Sequence, residues 1–270
     1  MKKNTVRTTK INMTGKPPLI CVPIISEDVG GLMEQAEAAL KYGADLIEWR
    51  ADGFEWSRPE PVLSTVMKQL KNAAGGKPVV FTCRINREGG ITSIPEDMRL
   101  QLIERAVETE FVDIVDIELS VGPNVIKRFK KAVLRNDKKL ILSFHDFKDM
   151  PKERTILDRL EEAQRLGADI AKAAVTTRDP KDMISLFNTV YRAKTGRVGI
   201  PIAVMDMGRF GPLSRAALGF FGSDMVYASG SVCSAPGQIS VGELRSVWKC
   251  LYKNCDGRDP DDCSNERPCR

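Results

Sequence analysis

Short apolar runs alternate with helical patterns eight times along this chain, each pair taking about 25–35 residues, and that beat limits the possible folds more than any other feature. Runs at 19–24, 46–50, 78–84, 114–119, 140–145, 170–175, 202–207 and 225–229 read as strands. Helices are expected at 31–41, from Pro59 or Pro61, from Pro95, and at 124–135, 152–166, 180–192, 213–221 and 241–252. Pro95 followed by Glu96 and Asp97 suits a helix N-terminus, where a proline loses no bond and acids meet the positive end of the dipole. Eight βα pairs in 270 residues specify a closed (β/α)8 TIM barrel rather than an open sheet. The Thr/Val/Ile stretch before Leu19 is expected to form a hairpin that caps the barrel floor. One barrel domain then spans 1–252, and the polar, Asp- and Pro-rich tail 253–270 reads as a disordered appendage.

Several function classes fall away on composition. The net charge of +5 suits an anionic metabolite, but its basic residues form no dense stripe of the kind a nucleic-acid binder carries. The basic start has no apolar segment after it, and the longest apolar runs are strand-sized, so no signal peptide or membrane span is visible and a cytoplasmic protein is expected. Cys21, Cys83 and Cys233 are scattered through the body as reduced thiols would be. Cys250, Cys255, Cys263 and Cys269 crowd the C-terminal stretch without a zinc-ligand spacing or a nearby histidine.

Strand period separates residues facing the barrel interior from those facing the helices. It turns Glu48 and Arg50 inward on the second strand, Thr82 and Arg84 on the third, and Asp116 and Glu118 on the fourth. Ser143 and His145 follow on the fifth, Lys172 on the sixth, and Met205 and Met207 on the seventh. Five consecutive strands thus put ionisable groups inside, near the C-terminal ends where barrel enzymes hold their sites. Any one could be a strand-end salt bridge. All of them in one volume are hard to explain structurally, because each buried charge costs several kcal/mol unless paired.

Lys172 is the pivotal residue. It sits in a small-residue apolar segment, Ala168-Asp-Ile-Ala-Lys-Ala-Ala-Val175, where loss of its proton is the cheapest relief from burial. A neutral lysine amine attacks ketones to form an imine. Arg84, Arg50 and Arg215 are expected to form a cationic shell that favours the neutral amine and attracts an anionic substrate. His145, the chain's single histidine, lies one strand away and can move protons near neutral pH.

These residues fall in Glu48-Trp-Arg50, Phe81-Thr-Cys-Arg84, Glu88-Gly-Gly90, Asp116-Ile-Glu118, Ser143-Phe-His-Asp-Phe147, Gly167-Ala-Asp-Ile-Ala-Lys172 and Ser234-Ala-Pro-Gly-Gln238. In that order they resemble the type I 3-dehydroquinate dehydratases, up to about Tyr252. The resemblance implies a homodimeric barrel that needs no metal and no organic cofactor and dehydrates 3-dehydroquinate to 3-dehydroshikimate, the third step of the shikimate pathway. It implies that Lys172 forms an imine with the substrate ketone, and that His145 removes the C2 proton and protonates the departing C1 hydroxyl. Glu88 would orient His145, and Arg215 would bind the carboxylate. Placed just beyond the seventh strand, Arg215 is expected to reach over the barrel mouth and meet that carboxylate with both prongs of its guanidinium. Glu48, Arg50 and Arg84 would hold the ring hydroxyls, with Met205 and Met207 packed on the ring and Ser234 and Gln238 on a closing loop. Pro23 departs from the pattern, since many relatives carry a serine there.

Two other classes compete on the residues. A class I aldolase also uses a barrel lysine, but no phosphate-gripping glycine run follows the seventh strand here. A metabolite-binding barrel without catalysis would tolerate loss of Lys172 or His145, and both are present.

Overall fold

The computed structural model describes residues 7–8, 11–12, 17–56 and 59–253. Eight parallel strands form its sheet: β1 (Leu19–Ile24), β2 (Leu46–Arg50), β3 (Val79–Thr82), β4 (Ile114–Glu118), β5 (Lys139–Asp146), β6 (Ile170–Val175), β7 (Ile202–Asp206) and β8 (Met225–Tyr227). After them in turn come α1 (Val29–Lys41), α2 (Pro59–Ala73), α3 (Glu96–Glu108), α4 (Pro123–Arg135), α5 (Glu153–Arg165), α6 (Pro180–Arg192), α7 (Gly211–Phe221) and α8 (Val241–Leu251). The strands pair in the order β8-β1-β2-β3-β4-β5-β6-β7, which is the expected (β/α)8 barrel. Arg7–Thr8 pairs antiparallel with Ile11–Asn12, forming the hairpin. Its turn and the link to the barrel lie outside the described residues, and so does the tail 254–270 with Cys255, Cys263 and Cys269. No helix among the described residues is long and apolar enough to cross a membrane.

The two-residue period is visible in the packing. Val79, Phe81 and Cys83 join Ile47, Trp49, Val115, Ile117 and Leu142 in the core between strands and helices. Cys21, Leu46, Val80, Ile114, Ile141, Ile170 and Ala203 instead fill the lower barrel interior, with Met205, Met207 and Tyr227 above them.

A repeated aspartate fastens the floor. Asp45, Asp113, Asp169 and Asp224 stand just before β2, β4, β6 and β8. Each accepts an N–H from the start of the preceding strand: Ile20 at 2.9 Å, Val79 at 2.8 Å, Leu140 at 3.0 Å and Ile202 at 2.9 Å. Each is also met by a cation from the helical layer, respectively Arg245, Lys71, Lys130 and Lys194. The carboxylates satisfy N–H groups that have no ladder partner at a strand start.

Two boundaries differ from expectation. Strand β3 ends at Thr82 rather than Arg84, because Asp52 takes the Arg84 N–H at 3.0 Å and Glu118 takes the Ile85 N–H at 3.0 Å. Helix α1 begins two residues early, at Val29, because Asp28 caps it by accepting from the Gly31 N–H.

The β7–β8 seam is the least regular part of the wall. At its base the Asp224 N–H reaches the Ile202 carbonyl at 2.8 Å. Among the described residues no ladder joins the two strands higher up. There, Arg215 of α7 donates to the Tyr227 carbonyl of β8 at 2.6 Å and to the Asp206 carbonyl of β7 at 2.8 Å.

Candidate active site

A cavity of about 230 Å³ opens at the C-terminal end of the strands. Every site residue expected from sequence borders it: Lys172, His145, Glu88, Glu48, Arg50, Arg84, Met205, Met207, Arg215, Ser234 and Gln238. Pro23, Gly89, Phe147, Ala174, Tyr227, Ala235 and Pro236 complete the lining.

Lys172 is 5% exposed, and its surroundings correct one expectation. Its nearest charged partners are carboxylates rather than a cationic shell. Nζ lies 3.0 Å from Asp116 Oδ2 and 3.5 Å from Glu48 Oε1, and 4.0 Å from the centroid of the Tyr227 ring beneath it. Asp116 is the residue the sequence turned inward without giving it a partner. Ser143 donates to it at 2.5 Å, and Arg84 makes two bonds to it, at 2.8 and 3.1 Å. Burial works against the Asp116 carboxylate, but Arg84 and Lys172 outweigh it and hold the carboxyl well below the usual range. Arg84 also bonds Glu118 at 3.0 Å, and Glu118 in turn bonds buried Arg99 at 2.8 Å. The arginine therefore braces Asp116 against Lys172 as well as facing the cavity.

Glu48 accepts from Thr82 at 2.8 Å, which fixes it beside the lysine. Arg50 grips Asp52 through two bonds, at 2.9 and 2.8 Å, and donates to the Gly89 carbonyl at 2.8 Å. Burial pulls its guanidinium down, but the Asp52 pairing raises it further. Arg50 thus ties the Glu88–Gly89 turn to β2.

The His145 side chain is 6% exposed and borders the cavity. Its Nδ1 lies 3.0 Å from Glu88 Oε2, which leaves Nε2 free for a proton. Burial lowers its pKa well below the ordinary 6.5, with Arg84 and Lys172 adding repulsion. The ring is therefore neutral at pH 7, with a lone pair available. Glu88 is pushed above its ordinary 4.5, first by burial and then by Glu118, while a bond from Ser120 opposes the rise. Phe147 lies parallel to the His145 ring at 6.2 Å and covers Gly89. Gly89 has φ +86°, and a Cβ there would stand 2.6 Å from the Phe147 ring, so both the turn and the contact require glycine.

Arg215 corrects a second expectation, that it reaches over the mouth and presents a two-pronged fork. It is 1% exposed, and Nε and Nη1 are taken by the carbonyls of Tyr227, Asp206 and Gly211. Nη2 alone is without a protein partner. Burial lowers its pKa to about 10, with Asp206 pulling the other way, so the group stays cationic at pH 7. A buried cation with a spare N–H beside a cavity is suited to an anion.

Ser234 and Gln238 hold each other. The Ser234 N–H donates to Gln238 Oε1 at 2.8 Å, and Gln238 Nε2 donates to the Ser234 hydroxyl at 2.9 Å. Gly237 between them has φ +67°, and a Cβ on Gly211 would lie 2.1 Å from the Gly237 carbonyl. The loop therefore rests directly on the backbone at the start of α7.

The chain matches the family model for type I 3-dehydroquinase over residues 20–255. It is similar to a 3-dehydroquinate dehydratase of Bacillus subtilis, at 35% identity over 89% of this chain and 94% of the relative. Among solved structures it is similar to 3-dehydroquinate dehydratase from Geobacillus kaustophilus, with a TM-score of 0.88 and 35% identity over 94% of this chain and 98% of that one. A type I enzyme from Clostridium difficile, solved with covalently modified comenic acid, also superposes with a TM-score of 0.88, at 33% identity over 94% of this chain and 99% of the other.

Proposed function

The chain belongs to the type I 3-dehydroquinase family, and on that footing we propose that it dehydrates 3-dehydroquinate to 3-dehydroshikimate through an imine on Lys172. One observation carries the reading: a buried lysine amine shares a small cavity with a neutral histidine whose other nitrogen is held by a carboxylate.

Nζ, having given up its proton, attacks the C3 ketone, and loss of water leaves the imine. The imine, protonated on nitrogen, draws electrons from C2, whose proton is otherwise only weakly acidic. His145 Nε2 removes that proton, giving an enamine. The electron pair then moves to expel the C1 hydroxyl, which takes the proton back from His145 and leaves as water. Hydrolysis of the product imine restores the lysine, so the net change is loss of one water. Asp116 and Glu48 hold Nζ in place, and Glu88 keeps the His145 lone pair aimed inward. Arg215 Nη2 supplies the carboxylate contact, while Arg50, Arg84 and Glu48 face the ring hydroxyls and Met205 and Met207 its apolar side. Ser234 and Gln238 close the site and keep bulk water from the imine.

The direct test is turnover of 3-dehydroquinate followed by the absorbance of the new conjugated enone, with borohydride trapping and peptide mapping. An adduct elsewhere than Lys172 overturns the reading.

Arg215→Lys should raise KM about tenfold or more and lower the melting temperature, since a single ammonium cannot span two strand carbonyls and a ligand at once. Steady-state kinetics and thermal unfolding of the same preparation check both effects.

We further propose a cytoplasmic homodimer that works without metal or organic cofactor. The oxygens of Asp116, Glu118 and Asp52 already face arginines, lysine or N–H donors, which leaves little for a divalent ion. Chelator treatment should leave turnover unchanged, and sedimentation velocity should give twice the chain mass of 30.0 kDa. Activity abolished by chelator and restored by one metal would refute the cofactor-free part.

A further inference from the structure

We propose that Ser120 is a positioning residue for the dehydration, setting the aim and ionisation of Glu88 and, through Glu88, the proton transfers of His145. The inference rests on the dehydratase reading above.

Glu88 closes a short turn, Asn86–Glu88, whose next residue is the tightly packed Gly89. The backbone is thereby fixed, but the carboxylate can still rotate unless both oxygens are engaged. Oε2 meets His145 Nδ1 on β5. Oε1 accepts a hydrogen bond from the Ser120 hydroxyl, which comes from the turn after β4. The same two turns are joined again by Arg87, whose Nη2 donates to the Ser120 carbonyl at 3.3 Å. Ser120 is thus clipped in place and donates to the oxygen that His145 does not use.

An exposed serine ordinarily exchanges its protein bond for one to water at little cost. Here the acceptor is a carboxylate only 8% exposed, so water is a poorer substitute. The other groups acting on Glu88 mostly disfavour its charge. Burial, Glu118 and Asp116 raise its pKa, while Arg84 and the Ser120 bond lower it. Arg50 fixes the adjacent Gly89 carbonyl but contacts its own partner, Asp52. Loss of the Ser120 hydroxyl therefore moves protonation of Glu88 to higher pH. A protonated Glu88 no longer draws the Nδ1 proton toward itself, and the lone pair on Nε2 weakens as a base. Ser120 does not line the cavity, so substrate affinity should be untouched.

Ser120→Ala and Ser120→Thr would be compared with the native chain in kcat and KM against 3-dehydroquinate from pH 5 to 9, with borohydride trapping on the same samples. Ser120→Ala should move the acid midpoint up by about 0.7 of a pH unit, so that kcat falls by up to about fivefold on the acid limb below the native midpoint and hardly changes at pH 8.5. KM should stay within about twofold, and Ser120→Thr, which keeps the hydroxyl, should restore the native profile. Coincident profiles for Ser120→Ala and native enzyme, an equal loss at every pH, or a loss carried by KM would overturn the proposal. Adduct formation on Lys172 in the native sample separates the two levels. Without it the dehydratase reading itself fails, and with it a flat Ser120 result removes Ser120 alone.

Discussion

Replacing Lys172 with alanine should abolish both the borohydride adduct and turnover, with kcat falling on the order of 10⁴- to 10⁶-fold. Among the described residues no second lysine borders the cavity. The partners of its amine are carboxylates, and a carboxylate cannot supply the nitrogen an imine requires. Asp116 and Glu48 would then share a barrel interior with one cation fewer, so the variant should also lose stability, although Arg84 still pairs Asp116. Intact mass after borohydride and circular dichroism distinguish a chemical loss from an unfolded protein. Normal turnover in a folded Lys172→Ala variant would end the imine mechanism.

His145→Ala should separate the steps. The imine forms at the lysine, but the C2 proton then has no base, so adduct accumulates while kcat falls by roughly 10³- to 10⁴-fold. KM should change far less, since the imidazole works mainly on the moving proton. The pH dependence of the native enzyme follows from the same environment. The His145 pKa lies well below 6.5, so its base form persists as the pH falls past 6.5 and the acid limb of kcat appears only below that point. An acid limb centred at or above 7 would contradict a buried imidazole repelled by Arg84 and Lys172. A His145→Ala variant that kept most of its kcat would redirect attention to Glu88.

Most of the barrel was legible because the strand period alone separates inside from outside, and the inward set of Glu48, Arg84, Asp116, His145 and Lys172 follows from it. Partners were not legible. Which inward groups meet depends on the stagger between strands: Glu118 and Ser143 stand level with Lys172, yet it is Asp116, one inward step lower on β4 and bonded by Ser143, whose carboxylate meets the amine. Arg215 departs from expectation for a similar reason. Its position after β7 suggested reach over the mouth, whereas α7 aims it at strand carbonyls that the missing seam ladder leaves free. Ser120, Phe147 and Tyr227 carry no charge pattern, and only the three-dimensional neighbourhood brings them to the site. The floor aspartates were readable as an acid before every second strand, at Asp45, Asp113, Asp169 and Asp224.

On the proposed reading Arg215 has two duties. Two of its nitrogens stitch the wall between β7 and β8, and the third, left without a protein partner, is the one proposed for the substrate carboxylate. Anchoring that third nitrogen should stiffen the side chain, and with it the edge where the wall is weakest. Occupancy and breathing of the barrel then become linked quantities. Amide protons near Tyr227 and Met207 should exchange with deuterium more slowly when a carboxylate analogue is bound, beyond the slowing that mass action brings to the whole molecule. Amides around β3 and β4, on the opposite side of the ring, would show the general slowing alone.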